Sequence, residues 1–235
     1  MATKTLNFYT YNLQKDTTVM LMFDPPSSQK LFKDQFPVVW KVITFRAGGH
    51  AKAVVRYTSR LAFGYAQLDD ANAVDAAAWV EVKSGDMTSI KGNNGEKRFG
   101  GVSKRENTRL LVCKNNTNQR AHLSIGFVKG DGIDQRFDPV LLWTGVGAKS
   151  NVTAQFTPRL SAYVTRDYQG KWCIFSTGCN PNHSVLLPES QFLRGEVETE
   201  AIWTMDLNTL DDLSSWNFVE NPESGSFEIK AAGQL

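Results

Sequence analysis

The stretch that decides the fold runs from Phe36 to Gln67 and reads FPVVWKVITFRAGGHAKAVVRYTSRLAFGYAQ. Valine, isoleucine, threonine and aromatic residues dominate it, and they alternate with polar residues over short runs. Glycines at 48 and 49 interrupt the runs, as expected of a tight turn. Alternation of this kind is typical of half-buried β-strands. The stretch therefore predicts several short strands joined by turns.

The same alternation extends over most of the chain, and roughly fourteen strand-like runs can be counted. So many short strands predict an all-β fold, an antiparallel β-sandwich of two sheets with roughly seven strands each. The best helix candidate covers 206–215, with Asp206 as a possible N-cap. No Gly/Ser-rich linker divides the sequence, which favours a single domain over 1–235.

A second stretch, from Phe137 to Gln169, echoes the first and reads FDPVLLWTGVGAKSNVTAQFTPRLSAYVTRDYQ. Both stretches keep the order Pro-Val, Trp, Arg-Leu, Gln, so that Trp40 corresponds to Trp143. The echo predicts two pseudo-repeated halves, about 1–130 and 131–235, that bury each other's apolar faces. Chance similarity between two β-rich segments is the alternative.

The two halves differ in the length of one connection. Twelve residues separate Gln67 from Trp79, whereas 34 separate Gln169 from Trp203. Long connections on a rigid scaffold often carry function, which makes this insertion the predicted ligand site. An aromatic surface with a few polar groups suits a small planar ligand. The predicted ligand-binding residues are Lys171, Trp172, Cys173, Phe175, Cys179 and His183. The alternative is a plain hairpin on the sandwich edge.

Charge and cysteine content restrict the function classes. The net charge of +2 comes from interspersed acidic and basic residues, so neither nucleic acid nor membrane is predicted as a partner. No signal-peptide core and no long apolar stretch is present, which predicts a cytoplasmic protein. We also expect the protein to be a monomer or a weak oligomer. Three cysteines fit a reducing compartment, although a disulfide between Cys173 and Cys179 stays open.

Catalytic signatures are weak throughout the chain. Cys179 and His183 are the one Cys/His pair close together in a loop, and no third ligand lies near them in sequence. The hydrolase motifs G-x-S-x-G and H-E-x-x-H are absent. The sequence therefore predicts no metal site and no catalytic residue, which indicates a binding protein rather than an enzyme.

Two stretches, WKVITFRAGGHAKAVVRYTSRLAFGYAQ and FLRGEVETEAIWTMDLNTLDDLSSWNF, resemble mushroom fruit-body proteins of the pink-chromoprotein type found in oyster mushrooms. The resemblance implies a β-sandwich that carries a small organic chromophore as a non-enzymatic pigment-binding protein. Whether such a ligand is covalently linked stays open. The alternative function is a cytosolic lectin, in which exposed tryptophan and Asn/Asp side chains bind carbohydrate.

Overall fold

The computed structural model describes residues 3–24, 35–68, 74–92, 96–165, 192–193 and 200–233. Within these ranges the chain forms β-strands and two 3-10 turns, Gly132–Asp134 and Leu207–Thr209, and no α-helix. The predicted all-β class is confirmed. The strands are β1 (Thr3–Tyr11), β2 (Thr17–Phe23), β3 (Gln35–Phe45), β4 (His50–Thr58), β5 (Leu61–Leu68), β6 (Val74–Val82), β7 (Asp86–Lys91), β8 (Arg98–Phe99), β9 (Ser103–Lys104), β10 (Leu111–Asn115), β11 (Ala121–Lys129), β12 (Arg136–Val146), β13 (Asn151–Ala154), β14 (Arg159–Thr165), β15 (Phe192–Leu193), β16 (Trp203–Asp206), β17 (Leu213–Glu220) and β18 (Phe227–Ala231).

The described strands form three sheets rather than two. The largest has nine strands in the order β16-β14-β2-β3-β12-β11-β5-β6, with β15 added at β3. A four-stranded sheet has the order β18-β17-β1-β4, and a five-stranded sheet has the order β13-β10-β7-β8 with β9 added at β7. The predicted count of two seven-stranded sheets is wrong because β3 pairs with both β2 and β12, which joins two groups of strands into one large sheet.

The strand order has an internal two-fold relationship. In the large sheet, β2 is equivalent to β11, β3 to β12, β5 to β14 and β6 to β16. Exchanging each strand for its equivalent reverses the strand order and leaves the sheet unchanged. The small sheets match in the same way, and each contains one parallel pair, β1 with β17 and β10 with β7. Each small sheet therefore combines strands from the first part of the chain with strands from the last part. The two sets of strands divide between β9 and β10, at 105–110.

Equivalent hydrogen bonds relate the two sets at the Arg-Leu pairs seen in the sequence. The amide of Asp24 donates to the carbonyl of Arg159 at 3.0 Å, and the amide of Val128 donates to the carbonyl of Arg60 at 2.9 Å. Leu61, which follows Arg60, is the first residue of β5, and Leu160, which follows Arg159, is the second residue of β14. Both strands belong to the large sheet. The Arg-Leu pairs thus occupy corresponding positions in the strand order, whereas the position that matches Trp40 is Val140 rather than Trp143.

The main core is an apolar cluster that runs along the inner face of the large sheet, and three smaller buried clusters accompany it in the described part of the chain. On one half of that sheet, Phe8 meets Trp203 at 6.0 Å between ring centroids, and Phe45 stacks on Phe218 at 5.5 Å. On the other half, Ile90 and other residues of the five-stranded sheet belong to the same cluster. Burial of large apolar side chains, worth about 1.5–3 kcal/mol each, holds both small sheets against the large one.

The segment predicted as a helix, 206–215, is mostly not helical. Asp206 does act as a cap, since its carboxylate accepts a hydrogen bond from the amide of Asn208 at 2.9 Å. The turn ends after Thr209, and β17 begins at Leu213, opposite Thr5 of β1. The helix prediction is wrong because pairing with a strand about two hundred residues earlier overrides the local leucine spacing.

Candidate functional site

The six residues predicted to bind ligand lie outside the described residues. They are Lys171, Trp172, Cys173, Phe175, Cys179 and His183. Of the insertion that contains them, the structure describes β15 and 200–202. The candidate site below is therefore built from described residues alone.

A β-bulge turns Lys41 toward the core. Leu21 pairs with Lys41 and Met22 pairs with Val39, so Trp40 is the extra residue on β3. Lys41 shares a sheet face with its partner Leu21, which belongs to the core, and Trp40 belongs to the same core. Two consecutive side chains therefore point inward, as a bulge permits and regular alternation does not. Trp40 is fully buried and Lys41 is 8% exposed.

A second bulge brings Asp138 to the same region. Ile125 pairs with Leu141 whereas Gly126 pairs with Pro139, so Val140 is the extra residue on β12. Asp138 pairs with Phe127, a fully buried core residue, and is itself buried. The two bulges thus place a lysine and an aspartate on the inner face of the large sheet.

Lys41, Lys129 and Asp138 form what we call the lysine cluster. The ammonium of Lys129 contacts Oδ2 of Asp138, and the ammonium of Lys41 lies 3.9 Å from the same oxygen. The two ammonium nitrogens lie 5.9 and 5.8 Å, respectively, from the ring centroid of Trp40. The side chains of Lys41 and Asp138 are 10% and 11% exposed, against 32% for Lys129. Two cations therefore share one carboxylate beside an indole ring.

The environment shifts the ionisation of Lys129. Burial lowers the pKa of Lys129 most strongly, the carboxylate of Asp138 raises it, and the neighbouring Lys41 lowers it again, with a net decrease. Desolvation and a nearby like charge are the two usual causes of a lysine that loses its proton more readily. At neutral pH, Lys129 therefore presents more neutral amine than an ordinary lysine.

An aromatic cluster borders the lysine cluster. It consists of Phe23, Trp40, Tyr57, Phe127 and Phe156, whose contacting ring pairs have centroids 5.0–6.1 Å apart. Four of the rings are two matched pairs, Phe23 with Phe127 and Tyr57 with Phe156, at corresponding places in the two strand sets. Burial raises the pKa of Tyr57 to about 12, with Asp206 adding to the effect, so its hydroxyl stays neutral.

Trp40 has no matching ring in the other strand set, since the bulge residue there is Val140. In the part of the chain that the structure describes, its buried indole N–H has no hydrogen-bond acceptor. A buried donor without an acceptor destabilises a fold by about 1–3 kcal/mol. The indole N–H is therefore available to a ligand that supplies an acceptor.

The ladder between β3 and β12 stops close to the cluster. It contains the pairs of Gln35 with Trp143, Phe36 with Leu142 and Pro37 with Leu141. Pro37 and Pro139 lack the amide that a ladder needs, which favours an end to pairing at this point. Beyond this point β15 pairs with β3 in place of β12, with Phe192 opposite Val39. This is the edge of β3 that faces away from β2. The insertion thus pairs with β3 at Val39, the residue before Trp40.

A second polar cluster lies on β5, β11 and the segment before β8. Lys97 donates a hydrogen bond to the hydroxyl of Tyr65 at 3.0 Å and lies 4.7 Å from its ring centroid. The amide of Gly145 donates to Nδ1 of His122 at 3.2 Å. Burial lowers the pKa of His122, and the positive charge of Lys97 lowers it further. This arrangement keeps His122 neutral with its Nε2 as the protonated nitrogen.

Comparison of the chain with protein families, with curated proteins and with solved structures found no match. Within the described ranges, no group of three or more His, Cys, Asp or Glu side chains is placed to hold a metal ion. In the same part of the chain, no helix has the length and apolar character needed to cross a membrane.

Sequence reasoning missed the lysine cluster, although a signal was present. Lys41 interrupts the apolar run VVWKVITF, and Asp138 precedes Pro139 in the apolar run FDPVLLW. A charged residue inside an otherwise apolar strand is unusual unless it is paired. The pairing itself could not be foreseen, because it depends on two bulges and on the contact between β3 and β12.

Proposed function

We propose that the protein is a non-enzymatic carrier of a small planar organic ligand, with the lysine cluster as the polar anchor of its site. The observation that carries the proposal is the convergence of two ammonium groups on one largely buried carboxylate beside Trp40. A carboxylate, phenolate or enolate on the ligand would be attracted to these two ammonium groups.

The surroundings of the cluster support the same proposal. Small-molecule sites combine apolar walls with a few fixed polar groups. The aromatic cluster supplies the apolar wall, and the unpaired indole N–H of Trp40 supplies a donor. The insertion that holds the predicted ligand-binding residues Lys171–His183 reaches the sheet beside this cluster through β15. We therefore retain those residues as the second side of the proposed site.

The proposed scaffold is a β-sandwich in which both small sheets cover the inner face of the large one. A pigment is the proposed ligand class, on the strength of the resemblance to mushroom fruit-body chromoproteins and of the cationic anchor. A cationic anchor suits a conjugated anion, whose charge spreads over a planar system and changes its absorption on binding. The colour would then come from the bound molecule.

A carbohydrate-binding function remains the alternative, and one surface favours it. Tyr11 is 45% exposed and meets His50 at 4.8 Å between ring centroids, while the ammonium of Lys52 lies 5.3 Å from the ring of Tyr9. Exposed aromatic rings with polar neighbours suit the flat face of a sugar. Retention on a glycan resin that is lost in Tyr11→Ala and reversed by free sugar would favour the lectin over the pigment carrier.

The proposal is tested by native mass spectrometry and absorption spectroscopy of protein purified from its source. We expect a bound mass and an absorbance band beyond that of tryptophan, both lost on unfolding. Trp40→Phe removes the indole N–H and should weaken ligand retention on the order of tenfold, as expected for one hydrogen bond to a charged acceptor. Trp216→Phe is the matched control, because that indole N–H already donates to Ser214. Protein without any bound mass or absorbance band would contradict the proposal.

A further inference from the structure

We infer that Lys129 forms a reversible imine with small aromatic aldehydes or ketones, with Lys41 beside it and Asp138 as the group that relays the proton. The inference rests on the proposed function for the place of the site and deepens it by naming carbonyl compounds as the ligand class. Three observations lead to it: the accessibility of the three side chains, the shared carboxylate and the surrounding charges.

Accessibility distinguishes the two lysines. The side chain of Lys129 is 32% exposed, which makes it the most accessible member of the lysine cluster. The side chain of Lys41 is 10% exposed, and Asp138 is similarly covered. Lys129 can therefore act as the nucleophile, whereas Lys41 can only act on it through charge.

The charges around Lys129 favour a nucleophilic amine. Lysines used for imine chemistry are desolvated or lie next to another cation, because both effects favour the neutral amine. Lys129 has both features, being partly buried against Trp40 and close to Lys41 on the same carboxylate. Its cross-strand neighbour Arg136 adds a further positive charge on the exposed side. Burial and the neighbouring cation also lower the pKa of Lys129.

The step balances without an oxidant or reductant. The Lys129 ammonium gives a proton to the Asp138 carboxylate that it contacts. The neutral nitrogen attacks the carbonyl carbon, a C–N bond forms as the C=O π bond opens, and one nitrogen-bound proton passes to the oxygen to give a neutral carbinolamine. The carbinolamine hydroxyl leaves as water with the proton held by Asp138, and the nitrogen lone pair forms the C=N bond of a protonated imine beside the regenerated carboxylate. The net change is ammonium plus carbonyl compound to protonated imine plus water.

A reductive-trapping experiment tests the inference on the full chain. The protein is incubated with 4-formylbenzoate and cyanoborohydride, which converts an imine into a stable secondary amine, and the labelled lysines are mapped by peptide mass spectrometry. Exposed Lys104 is the internal reference. We expect clearly more label at Lys129 than at Lys104, because burial and the neighbouring Lys41 leave more of the Lys129 amine neutral.

Two variants and one analogue make the outcomes distinct. Lys129→Arg keeps the positive charge and should abolish the preferred label, and Lys129→Gln gives a second version if the arginine variant does not fold. Lys41→Met should reduce the preference several-fold, because it removes the nearby cation. Label spread evenly over Lys104 and Lys129 would overturn the inference.

Binding of 4-methylbenzoate, which has no aldehyde or ketone group to form an imine, is measured in parallel by tryptophan fluorescence. Saturable binding of that analogue with even labelling would leave the proposed function intact and refute only the imine.

Discussion

At the scale of single residues, the three members of the lysine cluster depend on each other. Burying a charge is unfavourable unless it is paired, and removing one partner leaves the others uncompensated. Asp138 contacts both Lys41 and Lys129. Its loss would remove the carboxylate that both ammonium groups contact.

Asp138→Asn is therefore expected to destabilise the fold. We expect the free energy of unfolding to fall by about 2–3 kcal/mol, less than for a completely buried pair because Lys129 is a third exposed. Urea denaturation followed by tryptophan fluorescence measures the change. Asp131→Asn is the matched control, since Asp131 is 98% exposed where it pairs with Arg60, and its effect should be much smaller. Equal losses in both variants would show that the lysine cluster has no special role in stability.

His122 should contribute a pH dependence of stability. Its folded-state pKa lies below the ordinary value of 6.5 because of burial and of Lys97. As the pH falls through 6.5, the unfolded chain gains a proton at this histidine and the folded chain does not, so the free energy of unfolding decreases. The decrease ends once the pH is below the folded-state pKa.

His122→Gln should flatten the stability profile between pH 7 and the folded-state pKa of His122. Urea midpoints at closely spaced pH values provide the measurement. His50→Gln serves as the control because His50 lies on the exposed surface. This variant should keep the slope of unfolding free energy against pH near pH 6. A profile that keeps its slope in His122→Gln but loses it in His50→Gln would contradict the assignment.

At the scale of elements, local patterns predict strands but not their interruptions. Val19, Leu21 and Phe23 alternate inward in β2, as the period-two pattern predicts. The bulges at Trp40 and Val140 have no signature in the alternation itself, because an extra residue is defined only against the partner strand. The cluster was unpredictable for this reason, whereas the burial of Trp40 and Trp143 as core residues agrees with their place in alternating strands.

The second bulge depends on Gly126. A Cβ at this position would overlap the carbonyl of Asp138 and lie 2.7 Å from Cα of Pro139. Gly126→Ala should therefore push β12 away from β11 and displace Asp138 from Lys129, with a loss of about 1–3 kcal/mol as for other overpacked sites. Thermal unfolding measures the loss, and the selectivity of Lys129 labelling measures the displacement.

Gly101→Ala provides the matched control for that substitution. A Cβ at Gly101 would meet no atom within 4 Å, so neither stability nor labelling should change appreciably. If Gly126→Ala is as stable as Gly101→Ala, the close approach of β11 and β12 is not required for the fold.

At the scale of the whole molecule, each small sheet needs strands from both strand sets, which divide at 105–110. β1 pairs with β17, and β10 pairs with β7. The echo in the sequence indicated two related halves, but it gave no sign of this exchange, since pairing between distant strands leaves no local pattern. Residue patterns thus reveal which strands exist, and the partner of each strand follows only from the assembled sheets.

Separating the chain at the turn between Glu106 and Asn107 tests the exchange. Fragments 1–106 and 107–235 should each lack partners for several strands and should not fold as monomers. Mixed in equal amounts, they should recover the far-ultraviolet circular dichroism of strands and the cooperative unfolding of the intact chain. A fragment 1–106 that unfolds cooperatively as a monomer would show that the exchanged pairing is dispensable.

The exchanged pairing also has a consequence during synthesis on the ribosome. β1 leaves the exit tunnel about two hundred residues before its parallel partner β17 is translated. One edge of β1 must then remain without that neighbour while the intervening strands are made, a situation in which exposed edges are prone to aggregate. A nascent chain of this protein should therefore be a stronger client for ribosome-associated chaperones than a protein of the same length whose strands pair in order.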